Sequence, residues 1–169
     1  MPDGRRLRAD PRTADERTTL LVFLEWQRAT LARKCDGLTP EQLRRRAAEP
    51  STLSLLGLVR HLADVERGWF QRTLAGREVQ DRYGTDEDPD GDFNGAAGGD
   101  VDEAFASWRE ECEAARSIVA SHSLESVGHQ RTGAAVSLRW ILVHMVEEYS
   151  RHNGHADLLR ERIDGATGY

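Results

Sequence analysis

Only two cysteines occur in the 169 residues, Cys35 and Cys112, far apart and outside any CxxC-type pair. That excludes a disulfide scaffold and fits two reduced thiols in a cytoplasmic protein. Each falls on an apolar helical position, where a buried structural cysteine is expected. Long hydrophobic runs are missing too. The longest, Leu20 to Leu24, has five residues, whereas a membrane-spanning helix takes about 20. The opening MPDGRRLRADPRTADE is basic but carries no apolar stretch, so it does not read as a secretory signal. Residues 1–12 are expected to form a flexible leader ahead of a single domain, 13–169. Lysine is nearly absent: all but one of the 23 basic residues are Arg, Lys34 being the exception. The net charge is −6, and the short run Arg44-Arg45-Arg46 is flanked by Glu41 and Glu49. With no basic stripe for phosphates, nucleic acid is not an expected partner. No segment shows a convincing period of two, and no internal repeat is found.

What is present is helical periodicity. Thr13 with Glu16 reads as a capping box opening a first helix to Cys35, and Asp36-Gly37 closes it. Leu20, Leu24, Leu31 and Cys35 share its face, widened by Phe23 and Trp26. Thr39-Pro40-Glu41-Gln42 opens a short helix with an N-cap, a proline at the first position and Gln at the third. A second long helix is predicted over 55–74, where Leu55, Leu58, Leu62, Val65 and Trp69 recur at helical spacing beside Val59 and Phe70. Asp100 with Glu103 starts a third helix, whose seam is Val101, Phe105, Trp108, Cys112, Ala115 and Val119. Ser137 caps a fourth, from Leu138 to about Ile163. At most, Gly133 to Val136 is a short extended piece.

Residues 81–100, DRYGTDEDPDGDFNGAAGGD, are rich in acids and glycine and read as a solvated acidic loop or a lid over a site. Asp86, Asp88 and Asp90 alternate before Gly91 as in a calcium loop, but the glutamate that pattern requires at its end is Ala97 here. Four long amphipathic helices, one long acidic loop between the second and third, and no sheet predict an all-α protein, a four-helix bundle.

The chemistry concentrates in HMVEEYSRHNGHAD, residues 144–157, which holds three of the six histidines. With His144 at zero on a helical wheel, Glu148, His152 and His155 fall at about 40°, 80° and 20°. Leu138, Ile141, Met145 and Tyr149 occupy an overlapping sector, so these polar groups border the core and need partners. Glu147, Arg151 and Asp157 lie off that face. His144 and His152 are about 12 Å apart along the axis, too far to share an ion. Three pairs remain: His144 with Glu148, Glu148 with His152, or His152 with His155. Each needs a third donor, and His61 sits at the border of the second helix's apolar face. Two histidines and one carboxylate suit Zn²⁺, Ni²⁺, Mn²⁺ or Fe²⁺ and leave a position open. The competing reading is a buried hydrogen-bond network between two helices, with His144 and His155 at the bundle rim.

The stretches LSLLGLVRHLADVERGWF (53–70) and SLRWILVHMVEEYSRHNGHADLLRERIDG (137–165) resemble the DinB/YfiT-like superfamily, in its actinobacterial branch. The likeness spans all four long helices. It implies a four-helix bundle whose divalent metal is held by one histidine of the second helix and two ligands of the last. The matching positions are His61, Glu148 and His152. Glu148 stands where many members have histidine, but the similar mycothiol-dependent maleylpyruvate isomerases use a His, Glu, His set for zinc. His144 and His155 are then supporting or substrate-facing residues. Zinc is the implied metal, with nickel the alternative. Characterised relatives include transferases and an isomerase that use mycothiol or bacillithiol. The resemblance therefore implies a thiol S-transferase, or a thiol-dependent isomerase, acting on a small-molecule thiol and an electrophile. Arg60, Arg139 and Arg151, near the two motifs, are candidates to anchor the thiol. A non-catalytic, stress-associated metal-binding protein and a metal-dependent hydrolase are the alternatives. The large aromatics Trp26, Trp69, Phe70, Trp108 and Trp140 exceed what four thin seams need, and relatives are often dimers, so a homodimer is expected.

Overall fold

The computed structural model describes residues 12–168, so the leader expected at 1–12 lies, except for Arg12, outside the described residues. The described chain is mostly helical. Its elements run α1 (Glu16–Cys35), α2 (Pro40–Arg44), α3 (Leu55–Glu66), α4 (Gly91–Asn94), α5 (Val101–Ala120), β1 (Val127–His129), β2 (Ala135–Ser137) and α6 (Leu138–Asp164). A wider π-helical segment, Arg67–Leu74, prolongs α3, and a 3-10 turn, Gly95–Gly98, prolongs α4. Among the described residues no helix is long and apolar enough to cross a membrane.

Polar caps set most of these boundaries. Thr39 and Gln42 form the reciprocal capping box that the sequence predicts for α2. Ser54, Asp100 and Ser137 each accept an amide of the first turn of α3, α5 and α6. Helix α1 differs from expectation: its cap is Asp15, which accepts the Thr18 N–H at 2.9 Å, and not Thr13. A carboxylate there also meets the positive end of the helix dipole. Gly165, at φ +78°, closes α6 in the left-handed conformation.

Helix α1 packs along α6, and α3 along α5 and α6. Leu24, Leu31, Leu58, Leu62, Phe70, Leu142, Met145 and Tyr149 fill the space between them. Phe23 and Trp26 do not widen the α1 seam as expected; they are 44% and 51% exposed. Arg28 is buried instead, because it reaches Glu66, a fully buried acid of α3; the expected Val65 and Trp69 pack against the core but stay half-buried. Arg28 Nε and Nη2 donate to Glu66 Oε1 and Oε2 at 2.7 and 2.6 Å. The Tyr149 hydroxyl donates to Glu66 Oε1 at 2.8 Å and accepts from Trp108 Nε1 at 2.8 Å. One carboxylate thus ties α1, α3, α5 and α6 together. A buried charge is tolerable only when paired and hydrogen-bonded in this way.

Two further departures shape the surroundings of the site. Strand β1, absent from the sequence reading, pairs antiparallel with β2 in the register Gly128↔Val136. Gly128 lies so close to the π-helical segment that a Cβ there would come 2.2 Å from the Thr73 carbonyl oxygen, so the hairpin docks directly on that backbone. The acidic segment is not a solvated loop throughout. Gly91, Asp92 and Ala96 are buried, and 91–98 are helical turns packed on α3. Asp64 of α3 accepts the backbone amides of Arg82, Tyr83 and Gly84 at 2.6, 3.0 and 3.1 Å. Arg82 Nε and Arg67 Nη1 meet the buried Glu111 carboxylate at 2.8 Å each. These acids and arginines are spent on fastening the segment down.

Both cysteines are buried. Burial pushes the Cys35 thiol up to about 12, and burial together with the nearby Glu66 raises Cys112 as well. Neither is expected to react with iodoacetamide in the folded protein near neutral pH, whereas both react after unfolding. Intact-mass measurement before and after denaturant reads this directly, and native alkylation of Cys35 would show that its helix end opens readily.

Candidate metal centre

Glu148 and His152 are one turn apart on α6, so both present their side chains to the same neighbour, α3. His61 faces them from the second turn of α3, a position fixed by the Ser54 cap. His61 Nε2 is 3.2 Å from Glu148 Oε1, and His152 Nε2 is 3.1 Å from the same oxygen. One potential ligand atom from each residue lies within 4.8 Å of the others. Two ligands on a common tetrahedral ion, each bonded at about 2.0–2.1 Å, are separated by about 3.3 Å. The two nitrogens and one carboxylate oxygen therefore suit a divalent ion in both chemistry and spacing. Glu148 and His152 are buried, while the His61 side chain is 23% exposed, which leaves the α3 side of the cluster accessible.

The other nitrogens of the two rings are also engaged. His61 Nδ1 is 2.7 Å from Asp92 Oδ2, and the Phe93 ring stacks on the imidazole with centroids 5.1 Å apart. His152 Nδ1 lies 3.4 Å from His155 Nδ1. Burial disfavours a charge on His61, but the hydrogen bonds to Asp92 and Glu148 outweigh it and raise the group to about 9. Hydrogen bonds from His152 and His61 hold the Glu148 carboxyl well below the usual carboxylate range despite its burial. His155 is lowered, by burial first and then by His152 and Arg151.

A cleft of about 430 Å³ opens beside His61 and Asp92. Its walls include Trp69 and Arg72 of the π-helical segment, Asp81 and Pro89 of the acidic segment, and Gln130 to Thr132 at the tip of the hairpin. Arg72 Nη1 donates to Asp81 Oδ1 at 2.7 Å.

Of the expected site residues, His61, Glu148 and His152 come together and His155 adjoins them. His144 stacks on Trp140, with centroids 5.0 Å apart, and meets the edge of Trp69 at 4.8 Å, one side of the cleft wall. Arg60 and Arg139 do not line this cleft. Arg60 stacks over Tyr83 and donates to the Gly91 carbonyl at 2.9 Å, holding the acidic segment. Arg139 is committed to Glu16 and Glu125, both at 2.8 Å. Arg151 pairs with Glu147 and stands 3.9 Å from Glu148 Oε2. Sequence reasoning missed Asp92 and Phe93, because the alternation of Asp86, Asp88 and Asp90 drew attention to the wrong acids. Phe93 was the available signal: it is the sole aromatic between Gly84 and Asp100, and a lone aromatic in a polar loop marks a docking point.

Helical scaffold and site together define a candidate divalent-metal centre of the two-histidine, one-carboxylate class, open on one side to the cleft beside His61. The chain belongs to the mycothiol-S-transferase family, whose sequence profile matches residues 19–165, in line with the DinB/YfiT-like resemblance of its two motifs. A search of curated proteins finds no match.

Proposed function

We propose that this chain is a divalent-metal-dependent S-transferase that joins a small-molecule thiol of the mycothiol type to an electrophile. The carrying observation is the convergence of His61, Glu148 and His152 in a chain of the mycothiol-S-transferase family. On this proposal α1, α3, α5 and α6 form a four-helix bundle, spanning the single domain 13–169, and the protein works in the cytoplasm as a homodimer without nucleic acid. His61, Glu148 and His152 are the metal ligands, with zinc the first choice and nickel the second. Such an ion, when bound, lowers the pKa of a coordinated thiol so that thiolate is present at neutral pH.

The chain's own groups do the rest. Glu148 contributes one negative charge to the ligand set and is kept ionised by its two histidine partners. His155, lowered by burial and so neutral at pH 7, holds the Nδ1 side of His152. The cleft beside His61 offers Trp69 as an apolar wall and Arg72, Gln130 and Arg131 as polar contacts for the remainder of the thiol or its electrophile. Arg151, 3.9 Å from Glu148 Oε2, remains the candidate anchor on the α6 side. In the net reaction the thiol S–H bond breaks, a sulfur–carbon bond forms on the electrophile, and the leaving group departs with its electron pair. The proton leaves with it or passes to water. A thiol-dependent isomerase would use the same groups and return the thiol in a second step.

The test is conjugation of mycothiol to a chloromethyl fluorogenic electrophile, followed by mass spectrometry of the thioether. Zinc-loaded protein is expected to accelerate the reaction, chelator-treated protein to lose that acceleration, and added zinc to restore it. No acceleration by metal-loaded protein with mycothiol, against several electrophiles, would sink the transferase reading.

A further inference from the structure

The structure assigns a role to Asp92: we infer that it is a positioning residue that locks His61 in the tautomer protonated at Nδ1, so that the Nε2 lone pair faces Glu148 and His152. This inference rests on the metal-binding part of the function proposed above and names a device within it. A neutral imidazole carries its proton on one nitrogen, and the hydrogen bond made by the other decides which nitrogen can bind a metal. For His61 that choice is made from outside the bundle, by an acid of the segment between α3 and α5.

Three observations support positioning over proton transfer. First, both carboxylate oxygens are already engaged: Oδ2 lies 2.7 Å from His61 Nδ1, and Oδ1 accepts the backbone N–H of Phe93 at 2.8 Å. A carboxylate so occupied orients a ring and is not free to serve as a base toward substrate. Second, the Asp92 side chain is only 9% exposed, so water competes weakly for its oxygens. Third, the backbone around it is fastened independently. Arg60 holds the Gly91 carbonyl, and Phe93 lies against Gly57 so closely that a Cβ on that residue would sit 2.9 Å from the Phe93 ring. The glycine in α3 is therefore what lets Phe93 seat between α3 and the His61 ring. Docking of residues 91–98 and the geometry of the ligand cluster are one event, and the acidic segment becomes part of the centre.

The experiment measures zinc affinity by competition with a chromogenic chelator for the wild type, Asp92→Ala, Asp92→Asn and Asp86→Ala. Loss of the outer partner of a metal-binding histidine costs about 10–100-fold in affinity, and Asp92→Ala is expected in that range. Asp92→Asn should fall between Ala and wild type, since an amide oxygen still accepts the Nδ1–H. Asp86→Ala, which removes an exposed acid from the same segment, should leave affinity unchanged. Unchanged affinity in Asp92→Ala, or equal losses in all three variants, overturns the inference. The second readout is nitrogen NMR of the histidine rings in chelator-treated protein, above the pH at which His61 becomes neutral. Wild type should show His61 protonated at Nδ1, and Asp92→Ala should move that proton to Nε2; an unmoved proton overturns the inference. A wild-type chain that takes up no zinc would defeat the metal reading alone, because the ring NMR still decides the role of Asp92.

Discussion

Glu148→Ala is expected to abolish metal retention, and His61→Ala and His152→Ala to do the same. Purified wild type should carry about one zinc or nickel per chain, as a three-ligand site with an open position does. Glu148 is the most sensitive position, because its Oε1 is the common neighbour of both imidazoles, at 3.2 and 3.1 Å. Removing it leaves two histidines without the negative charge that offsets a divalent ion. Elemental analysis after gel filtration gives the answer. Metal absent from wild type after reconstitution would turn the cluster into the hydrogen-bond network that the sequence equally allows.

Affinity should also depend on pH in a defined direction. In the metal-free chain the hydrogen bonds to Asp92 and Glu148 outweigh burial and raise His61 to about 9, so at neutral pH its ring holds a proton that the ion must displace. Apparent affinity therefore rises with pH up to about 9, and each unit below that costs about tenfold, or about 1.4 kcal/mol, from this group. Glu148, depressed well below the usual range, adds no such competition near neutrality. A flat profile between neutral pH and that value would show that the ion displaces no proton from His61.

The second large effect lies away from the cleft. Glu66→Leu should cost about 3–5 kcal/mol of folding stability, the range for breaking one side of a buried ion pair. Arg28 is 4% exposed and would keep only its contact with Glu25, at 2.6 Å, on the outer side of its guanidinium. Tyr149 would lose the acceptor for its hydroxyl at the same time. The double variant Arg28→Met/Glu66→Leu should recover much of that loss, because two well-packed apolar side chains substitute for a buried pair at little or no cost. A remainder of about 1–3 kcal/mol is expected from the Tyr149 O–H left without its Glu66 acceptor. Urea melts of the three proteins measure the coupling. A single variant as stable as the double would show that water or Glu25 satisfies Arg28. Since Tyr149 adjoins Glu148 on α6, the single variant should also weaken zinc binding by loosening the rotation of that helix.

Much of this was legible in the amino acids. The four long helices follow from apolar spacing and from caps that act over three or four residues, and Thr39-Gln42, Ser54, Asp100 and Ser137 perform as local chemistry dictates. That Glu148 and His152 share a face is likewise local, since residues one helical turn apart do so, but the same spacing leaves His144 with Glu148 and His152 with His155 open. Where local signals competed, they misled. Thr13 with Glu16 reads as the cap of α1, but Asp15 holds that place, its carboxylate accepting the Thr18 amide. Val65 and Trp69 do pack against the core, but only half-buried; Glu66 is the fully buried side chain there, held by Arg28, and Trp69 also forms a wall of the cleft.

Amino-acid spacing predicts the helices and three possible polar pairs on α6; the resemblance of two motifs to a known superfamily selects Glu148 with His152 and adds His61 as candidate ligands. The fold in space supplied partners that no local pattern names: Asp92 for His61 across 31 residues and Glu66 for Arg28 across 38. Periodicity reports which face of a helix turns inward, because that depends on neighbours a turn away. It cannot report which charge arrives from another element to meet it. That depends on how the chain closes in space, and an acid in a polar segment reads the same whether it faces water or a histidine.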